Sequence, residues 1–189
     1  MKLRSMIILA MPMLVGACGY NTIQSMDERA AAAQKQISVQ LQRRADLVPN
    51  LVNTVKGFAA QEAEVFETVA KARAGLAGAV TGGNITEMAN ANQQLTGALG
   101  RLLAISENYP QLKSDQNFLR LQDELTGTEN RIAVARTDYN QAVQDYNAYI
   151  RRFPAVMTAK VTGAKSRDYF DVTNPGAREV PAVDFKKNP

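Results

Sequence analysis

One apolar stripe near the C-terminal end commits this chain to a helical fold. Its members recur every three or four residues over five heptads, and only Thr128 among them is polar. The stripe consists of Phe118, Leu121, Leu125, Thr128, Ile132, Ala135, Tyr139, Ala142, Tyr146, Tyr149 and Phe153. This spacing predicts one helix from about Ser114 to Arg152, ended by Pro154. At roughly 58 Å, such a helix should extend beyond shorter neighbours.

Three further stripes with the same spacing predict three more helices. Their members are Ile23, Met26, Ala30, Ala33, Ile37, Leu41 and Arg44; then Leu51, Val55, Phe58, Glu62, Val65, Val69, Ala72 and Leu76; then Ile85, Met88, Asn92, Leu95, Leu99, Leu102 and Ser106. We expect the second of these helices from about Pro49 to Ala79, and the third to begin at an Asn84 cap. Residues 47–50 decide whether the first two of these stripes form one kinked helix or two separate helices. Because proline disfavours helix before it and lacks an N–H donor, we favour two helices joined by a tight turn here.

These helices predict an all-α fold, an antiparallel four-helix bundle with one long C-terminal helix. The predicted organisation is a signal peptide over residues 1–17, the bundle over residues 18–162 and a flexible tail over residues 163–189. The tail mixes Gly, Pro, Ser and charged residues without periodicity, which is typical of a disordered or extended segment. Strand content should be near zero, with residues 182–185 as the one short alternating stretch.

The N-terminal residues have the composition of a secretory signal. A short basic stretch precedes an apolar run over residues 6–15, and small residues lead to Cys18. The run is too short to cross a bilayer, which takes about 20 apolar residues. The small residues before Cys18 resemble the bacterial lipobox, so we predict lipidation of Cys18 and a membrane anchor facing the periplasm. The alternative is an ordinary signal peptide with an incidental thiol. Gly19, where an aspartate would indicate retention, slightly favours the outer over the inner membrane.

The amino-acid composition argues against several classes of function. The chain has no histidine, so it lacks the usual general base and the Glu-x-x-His ligands of di-iron bundles. Cys18 is the only cysteine, which leaves no second thiol for a disulfide or a cysteine metal site. We therefore expect no cofactor. Lys2 and Arg4 supply two of the four net positive charges, and the rest interleave with negative ones, so we expect no nucleic-acid partner.

A carboxylate pair is the remaining catalytic alternative. Glu62 lies on an apolar stripe and could act with Glu124 or Glu129 in a hydrolase of the cell envelope. Such chemistry requires two carboxyl groups about 5–9.5 Å apart in one cleft. Buried charged groups in long bundles more often close a polar network that fixes helix register, and we favour that interpretation for Glu62 and Arg44. A third alternative, a binder of small apolar ligands, would require a cavity between the helices.

Several segments resemble the bacterial LemA family over about residues 19–160. They are Gly19–Gln24, Gln42–Val52, Thr54–Phe58, Glu107–Pro110, Gly127–Arg136, Asp138–Asn140 and Tyr146–Asn147. The resemblance implies a four-helix bundle held to a membrane by an N-terminal helix or lipid, with no established enzymatic activity. It also implies an envelope protein as partner, with a membrane protease as one candidate, since family members are often encoded beside such proteins.

The chain departs from the family pattern at two places. Gln34 stands where a tryptophan is usual, and residues 161–165 replace an expected Phe-Gly-Phe-Lys, although Tyr169-Phe170-Asp171 still matches. If those aromatic residues serve a partner or membrane contact, the contact is lost or altered here.

We therefore predict a non-enzymatic scaffold or adaptor. Its distinctive polar residues should divide between hydrogen bonds that tie the first turn to the long helix and a partner surface near the end of the bundle; they are Arg43, Arg44, Asn50, Glu129, Asn130, Arg131 and Arg136.

Overall fold

The computed structural model describes residues 2–171, with side chains for residues 19–171. These residues form six helices: α1 (Lys2–Lys56), α2 (Ala63–Gly82), α3 (Ile85–Ser106), α4 (Pro110–Lys113), α5 (Gln116–Tyr149) and α6 (Ala155–Thr162). The described part contains no strand, which confirms the all-α prediction, whereas residues 182–185 lie outside it. The Cys18 side chain also lies outside the described residues. No helix within residues 2–171 combines the length and apolar character that crossing a bilayer requires.

The four long helices form the predicted antiparallel bundle, in which α1 packs chiefly against α5 and α2 against α3. The turn between α2 and α3 lies beside the middle of α1, because Gln34 Nε2 donates to the Gly83 carbonyl at 2.8 Å. Gly83 itself adopts a left-handed conformation, with φ of 74°, which favours glycine. Helices α2 and α3 thus cover α1 only beyond residue 34. Both α1 and α5 extend past them, as expected for α5.

Most predicted stripe positions are buried, and those on α1 and α3 keep their predicted spacing. After Tyr139 two of the predicted positions on α5 are replaced by the residues that follow them, although Tyr146 is buried as predicted. Val143 and Ile150 are buried, whereas Ala142 is half-buried and Phe153 is 84% exposed. A straight α-helix has 3.6 residues per turn and drifts away from a strict heptad, which explains the shift. The stripe also shifts between α1 and α2, where Phe58 is 40% exposed.

Asparagine and aspartate side chains set the start of two helices. Asn84 Oδ1, the predicted cap, accepts from the backbone N–H groups of Thr86 at 2.9 Å and Glu87 at 3.1 Å. Asp115 Oδ1 accepts from Phe118 N at 2.8 Å, which begins α5 at Gln116. Both satisfy donors that the first turn of a helix leaves free.

The predicted turn at residues 47–50 is wrong, because α1 runs through Pro49 and ends at Lys56. The chain reverses instead over residues 57–62, after Gly57. Val48 and Leu51, on either side of the proline, are both buried in the core. Continuous burial of one face therefore outweighs the local preference of proline for ending a helix.

A side chain from α2 compensates for the donor that Pro49 lacks. In an uninterrupted helix, the N–H of residue 49 would donate to the carbonyl of Ala45, four residues earlier. Here Arg73 Nε donates to that carbonyl at 2.9 Å. Ala45 is 1% exposed, so its carbonyl would otherwise have little access to water. This long-range hydrogen bond explains how α1 continues past the proline.

This explanation predicts a coupling between two positions. Arg73→Met should lower the free energy of unfolding by about 1–3 kcal/mol, because it leaves a buried carbonyl without a donor. In a Pro49→Ala background, residue 49 regains its N–H, and the same Arg73→Met change should cost clearly less. Urea denaturation of the four chains measures the coupling. Equal costs in both backgrounds would show that Arg73 does not act through the Ala45 carbonyl.

Candidate functional site

Arg44 on α1 lies at the centre of a polar network inside the bundle. Its side chain is 3% exposed. Nη1 donates to Asn92 Oδ1 at 2.7 Å and to Thr96 Oγ1 at 3.0 Å, both on α3. Nη2 donates to Glu129 Oε1 on α5 at 3.2 Å. One guanidinium group therefore joins three helices, and the planar arrangement of its donors allows it to reach both neighbours at once.

Two opposing effects act on the Arg44 charge. Burial lowers the pKa of the guanidinium, while the Glu129 carboxylate raises it by charge and hydrogen bonding. Glu129 is 53% exposed, so water also solvates this carboxylate. Arg44 Nε is buried and has no hydrogen-bond partner among the described residues. The network is therefore not fully satisfied, and it is better suited to fixing the positions of the helices than to adding much net stability.

The other predicted site residues lie on the surface. Arg43, Asn50 and Arg131 are exposed, as is Asn130 next to Arg131. Arg136 is exposed as well, and its Nη2 lies 3.8 Å from Asp171 Oδ1. Within the predicted set, the structure thus joins only Arg44 and Glu129 by a hydrogen bond. The division of these residues into internal and surface groups follows directly from which helix face each occupies.

Glu62 has different contacts from Glu124 and Glu129. It occupies the N-terminal cap of α2, where its Oε1 accepts from the Tyr109 hydroxyl at 3.4 Å. Gln61 Nε2 donates to the same hydroxyl at 2.7 Å. Glu124 is exposed on α5, and Glu129 is paired with Arg44. The contacts of Glu62 are therefore those of a link between two loops at one end of the bundle. Among the described residues, no cluster of three or more histidine, cysteine or acidic side chains could hold a metal ion.

A groove of about 650 Å³ lies between α1 and α5 and includes two of the predicted surface residues. Most of the surface exposed in the groove belongs to apolar atoms, and Val134 within it is 62% exposed. Gln40 Oε1 in the same groove is buried and has no hydrogen-bond partner among the described residues. The complete lining is Ala32, Ala33, Gln36, Gln40, Asn130, Arg131, Val134, Ala135 and Asp138. The groove thus combines an exposed apolar side chain, a free acceptor and charges of both signs.

The segment after α6, residues 163–171, is extended and bound to α5, so it is not the loosely attached tail expected from the sequence. Two asparagines hold its backbone. Asn147 Nδ2 donates to the Arg167 carbonyl and Asn147 Oδ1 accepts from Arg167 N, both at 2.9 Å. Asn140 pairs with Phe170 in the same way, at 3.3 and 2.8 Å. Residues 172–189 lie outside the described part of the chain.

The distance between the two asparagines along α5 matches the distance between the two backbone groups that they bind. Seven residues of helix between Asn140 and Asn147 rise about 10.5 Å. Three residues of extended chain between Arg167 and Phe170 span about 10 Å, so both pairings form without distortion. Phe170 is 3% exposed in the core. We call residues 163–171 the strap.

Two further contacts hold the strap. Arg167 Nε and Nη2 donate to the two carboxylate oxygens of Asp27 on α1, at 2.7 and 2.9 Å, and this pairing raises the pKa of Arg167. The Tyr139 hydroxyl donates to the Asp168 carbonyl at 2.7 Å. Burial raises the pKa of that hydroxyl, which keeps it protonated as a donor. Sequence reasoning missed these roles, and the only signal was the presence of Tyr139, Asn140 and Asn147 in the family-like segments.

The fold and the network define a class, an all-helical bundle in which a buried arginine joins three helices. A profile of the LemA family matches residues 33–185. The chain belongs to the LemA family.

Similar proteins come from two bacteria. The magnetosome proteins MamQ 1 and MamQ 2 of Paramagnetospirillum magneticum are each 32% identical, over 80% of this chain and 64% of the relative. The magnetosome protein MamQ of Magnetospirillum gryphiswaldense is 30% identical with the same coverage, 80% and 64%. The chain thus spans slightly less than two thirds of the length of these curated relatives.

A comparison of Arg44 with its exposed neighbour Arg43 tests the structural role of Arg44. Arg44→Ala should lower the free energy of unfolding by about 2–4 kcal/mol, because it leaves a cavity and removes three hydrogen bonds. Arg43→Ala removes the same group from an exposed position and should cost no more than about 0.5 kcal/mol. Denaturant titration followed by circular dichroism measures both. Equal effects of the two changes would contradict the assignment of Arg44 to a buried network.

Proposed function

We propose that this protein is a lipid-anchored, non-enzymatic scaffold of the bacterial envelope that binds a protein partner in the α1–α5 groove. In this proposal the lipid on Cys18 holds the chain at the membrane, facing the periplasm. The bundle then presents the groove to an envelope protein, of which a membrane protease is one candidate. The outer membrane is slightly favoured as the location because Gly19 follows the lipidated cysteine.

The groove carries the proposal. Val134 is 62% exposed, although it lies on a helix whose neighbouring apolar residues are mostly buried. Gln40, which also lines the groove, has a buried and unpartnered Oε1 that a ligand donor would reach once the side chain turned outward. Arg131 and Asp138 at the sides of the groove offer charges of both signs. A protein segment with an apolar side chain and a nearby donor fits these features, and an exposed apolar patch with a polar rim is typical of a binding surface.

Two further observations support a binding role over an enzymatic one. The carboxylates that could serve a hydrolase have separate structural partners, Tyr109 for Glu62 and Arg44 for Glu129. The relatives are named after a cellular structure, the magnetosome, and not after a reaction. For the helical region that this chain shares with them, we use only the fact that these names do not describe a reaction.

The membrane anchor rests on the sequence before Gly19 and is tested separately. Cys18→Ser should abolish incorporation of labelled palmitate, because no thiol remains to accept the lipid. The protein should then accumulate as an uncut precursor or leave the membrane fraction. Incorporation of label into Cys18→Ser protein at the wild-type level would refute lipidation at this position.

The groove is tested with two exposed valines that differ in position. Val134→Glu places a charge in the groove and should reduce crosslinked partner recovered from native membranes by at least about tenfold, as expected for a central interface residue. Val39 is 57% exposed and does not line the groove, so Val39→Glu is the matched control and should leave recovery unchanged. Both variants should unfold at the wild-type temperature. Unchanged recovery with Val134→Glu, or equal loss with both variants, would rule out the groove as the binding site.

A further inference from the structure

The end of the bundle beside Gly19 exposes a group of apolar side chains. Among the described residues nine large apolar side chains are exposed, and four of them lie here. Val161 at 89% and Phe153 at 84% are the two most exposed of all, followed at this end by Met157 at 59% and Tyr20 at 45%. Such clustering is unusual for a surface in contact only with water.

Helix α6 presents these side chains on one face. Its opposite face is buried, since Ala155 and Ala159 are each 4% exposed. Ala159 packs with Ile23 of α1 and Ile150. Met157 and Val161, four residues apart, point away from the bundle on the other side. Helix α6 therefore buries its small alanines against the bundle and exposes its larger apolar side chains, the reverse of an ordinary surface helix.

The same region is strongly basic. Residues 150–167 contain five basic residues and no acidic one. Arg167 is paired with Asp27, but Arg152, Lys160 and Lys165 have no acidic partner within the described part of the chain. Like charges that remain unpaired around an apolar face are complementary to an anionic surface. They would repel the same face of a second copy, which makes self-association through α6 unfavourable.

The position of α6 indicates which anionic surface its exposed face would contact. Gly19 directly follows the predicted lipidation site, and a Cβ placed at Gly19 would come within 3.4 Å of Thr158 Oγ1. The lipid and the exposed face of α6 therefore emerge at the same end of the molecule. Lysine and arginine side chains at such a boundary can extend their charges to headgroups while their stems lie along apolar atoms.

We propose that α6 is a membrane-docking helix, whose Met157–Val161 face and flanking basic residues contact the anionic lipid surface to which Cys18 anchors the chain. This inference rests on the proposed anchoring for the orientation of the molecule. Two attachments, one lipid and one basic amphipathic face, would hold the bundle stably and in a fixed orientation.

The absence of tryptophan from the chain provides a clean probe. Val161→Trp places a single indole on α6, and Leu119→Trp places one at the opposite end, on a leucine that is 44% exposed. Each lipidated full chain is reconstituted into vesicles of phosphatidylglycerol and phosphatidylethanolamine with brominated acyl chains. Val161→Trp emission should shift to shorter wavelengths and be quenched by the bromine atoms. Leu119→Trp emission should remain that of an indole in water.

The basic residues are tested in the Cys18→Ser full chain, which has no lipid. Arg152→Gln with Lys160→Gln should weaken its partition to anionic vesicles roughly 10–30-fold, with little effect on neutral phosphatidylcholine vesicles. Glu124→Gln with Asp123→Gln, a pair of exposed changes on α5, should not weaken it. Equal partition of all three chains would overturn the role of charge in docking.

The outcomes separate this inference from the proposed anchor. An acylated, vesicle-bound protein with unquenched Val161→Trp emission would overturn the docking of α6 and leave the anchor intact. Quenching of Val161→Trp in a chain that is not acylated would support docking even though the anchor had failed. A concentration-dependent shift of Val161→Trp emission without vesicles would assign the face to a second copy and overturn the lipid contact.

Discussion

The buried guanidinium of Arg44 fixes how the helices align along their axes. Apolar seams with heptad spacing can pack in more than one register, since a slip by one repeat again places apolar residues opposite one another. The contacts of Arg44 with Asn92 and Thr96 on α3 and with Glu129 on α5 allow only one alignment. A slip would leave the charge buried without partners, which is far more costly than an imperfect apolar contact.

The sequence predicts well what depends on local spacing. The seams of α1 and α3, the seam of α5 as far as Tyr139 and the Asn84 cap all follow from periodicity and capping chemistry. The sequence fails where a distant residue changes the outcome. Nothing near Pro49 reveals that Arg73 supplies the missing donor, so the local sequence around the proline predicts a turn. The strap is missed for the same reason, because its irregular composition conceals backbone groups that pair with Asn140 and Asn147.

The candidate site was predictable only in part. Arg44 stood out because a charge on an apolar stripe must find a partner, and Glu129 was among the residues named for it. The groove could not be predicted, since it depends on how closely α1 and α5 approach. The two surface residues Asn130 and Arg131 were identified by resemblance and now lie beside Val134 in that groove. Their neighbour Ile132 is buried, so three consecutive residues contribute to both the core and the surface.

The continuity of α1 through Pro49 determines how far the protein reaches. From Gly19 to Lys56 the helix rises about 57 Å as a single rod, without the hinge that a turn at residues 47–50 would have created. With one end fixed at a bilayer, the loops around Glu62 and Tyr109 would stand at a nearly constant height above the lipid. In the proposed anchored state, the same rigid rise would also fix the height of the α1–α5 groove, so only partners whose contact surfaces lie at that height could reach it.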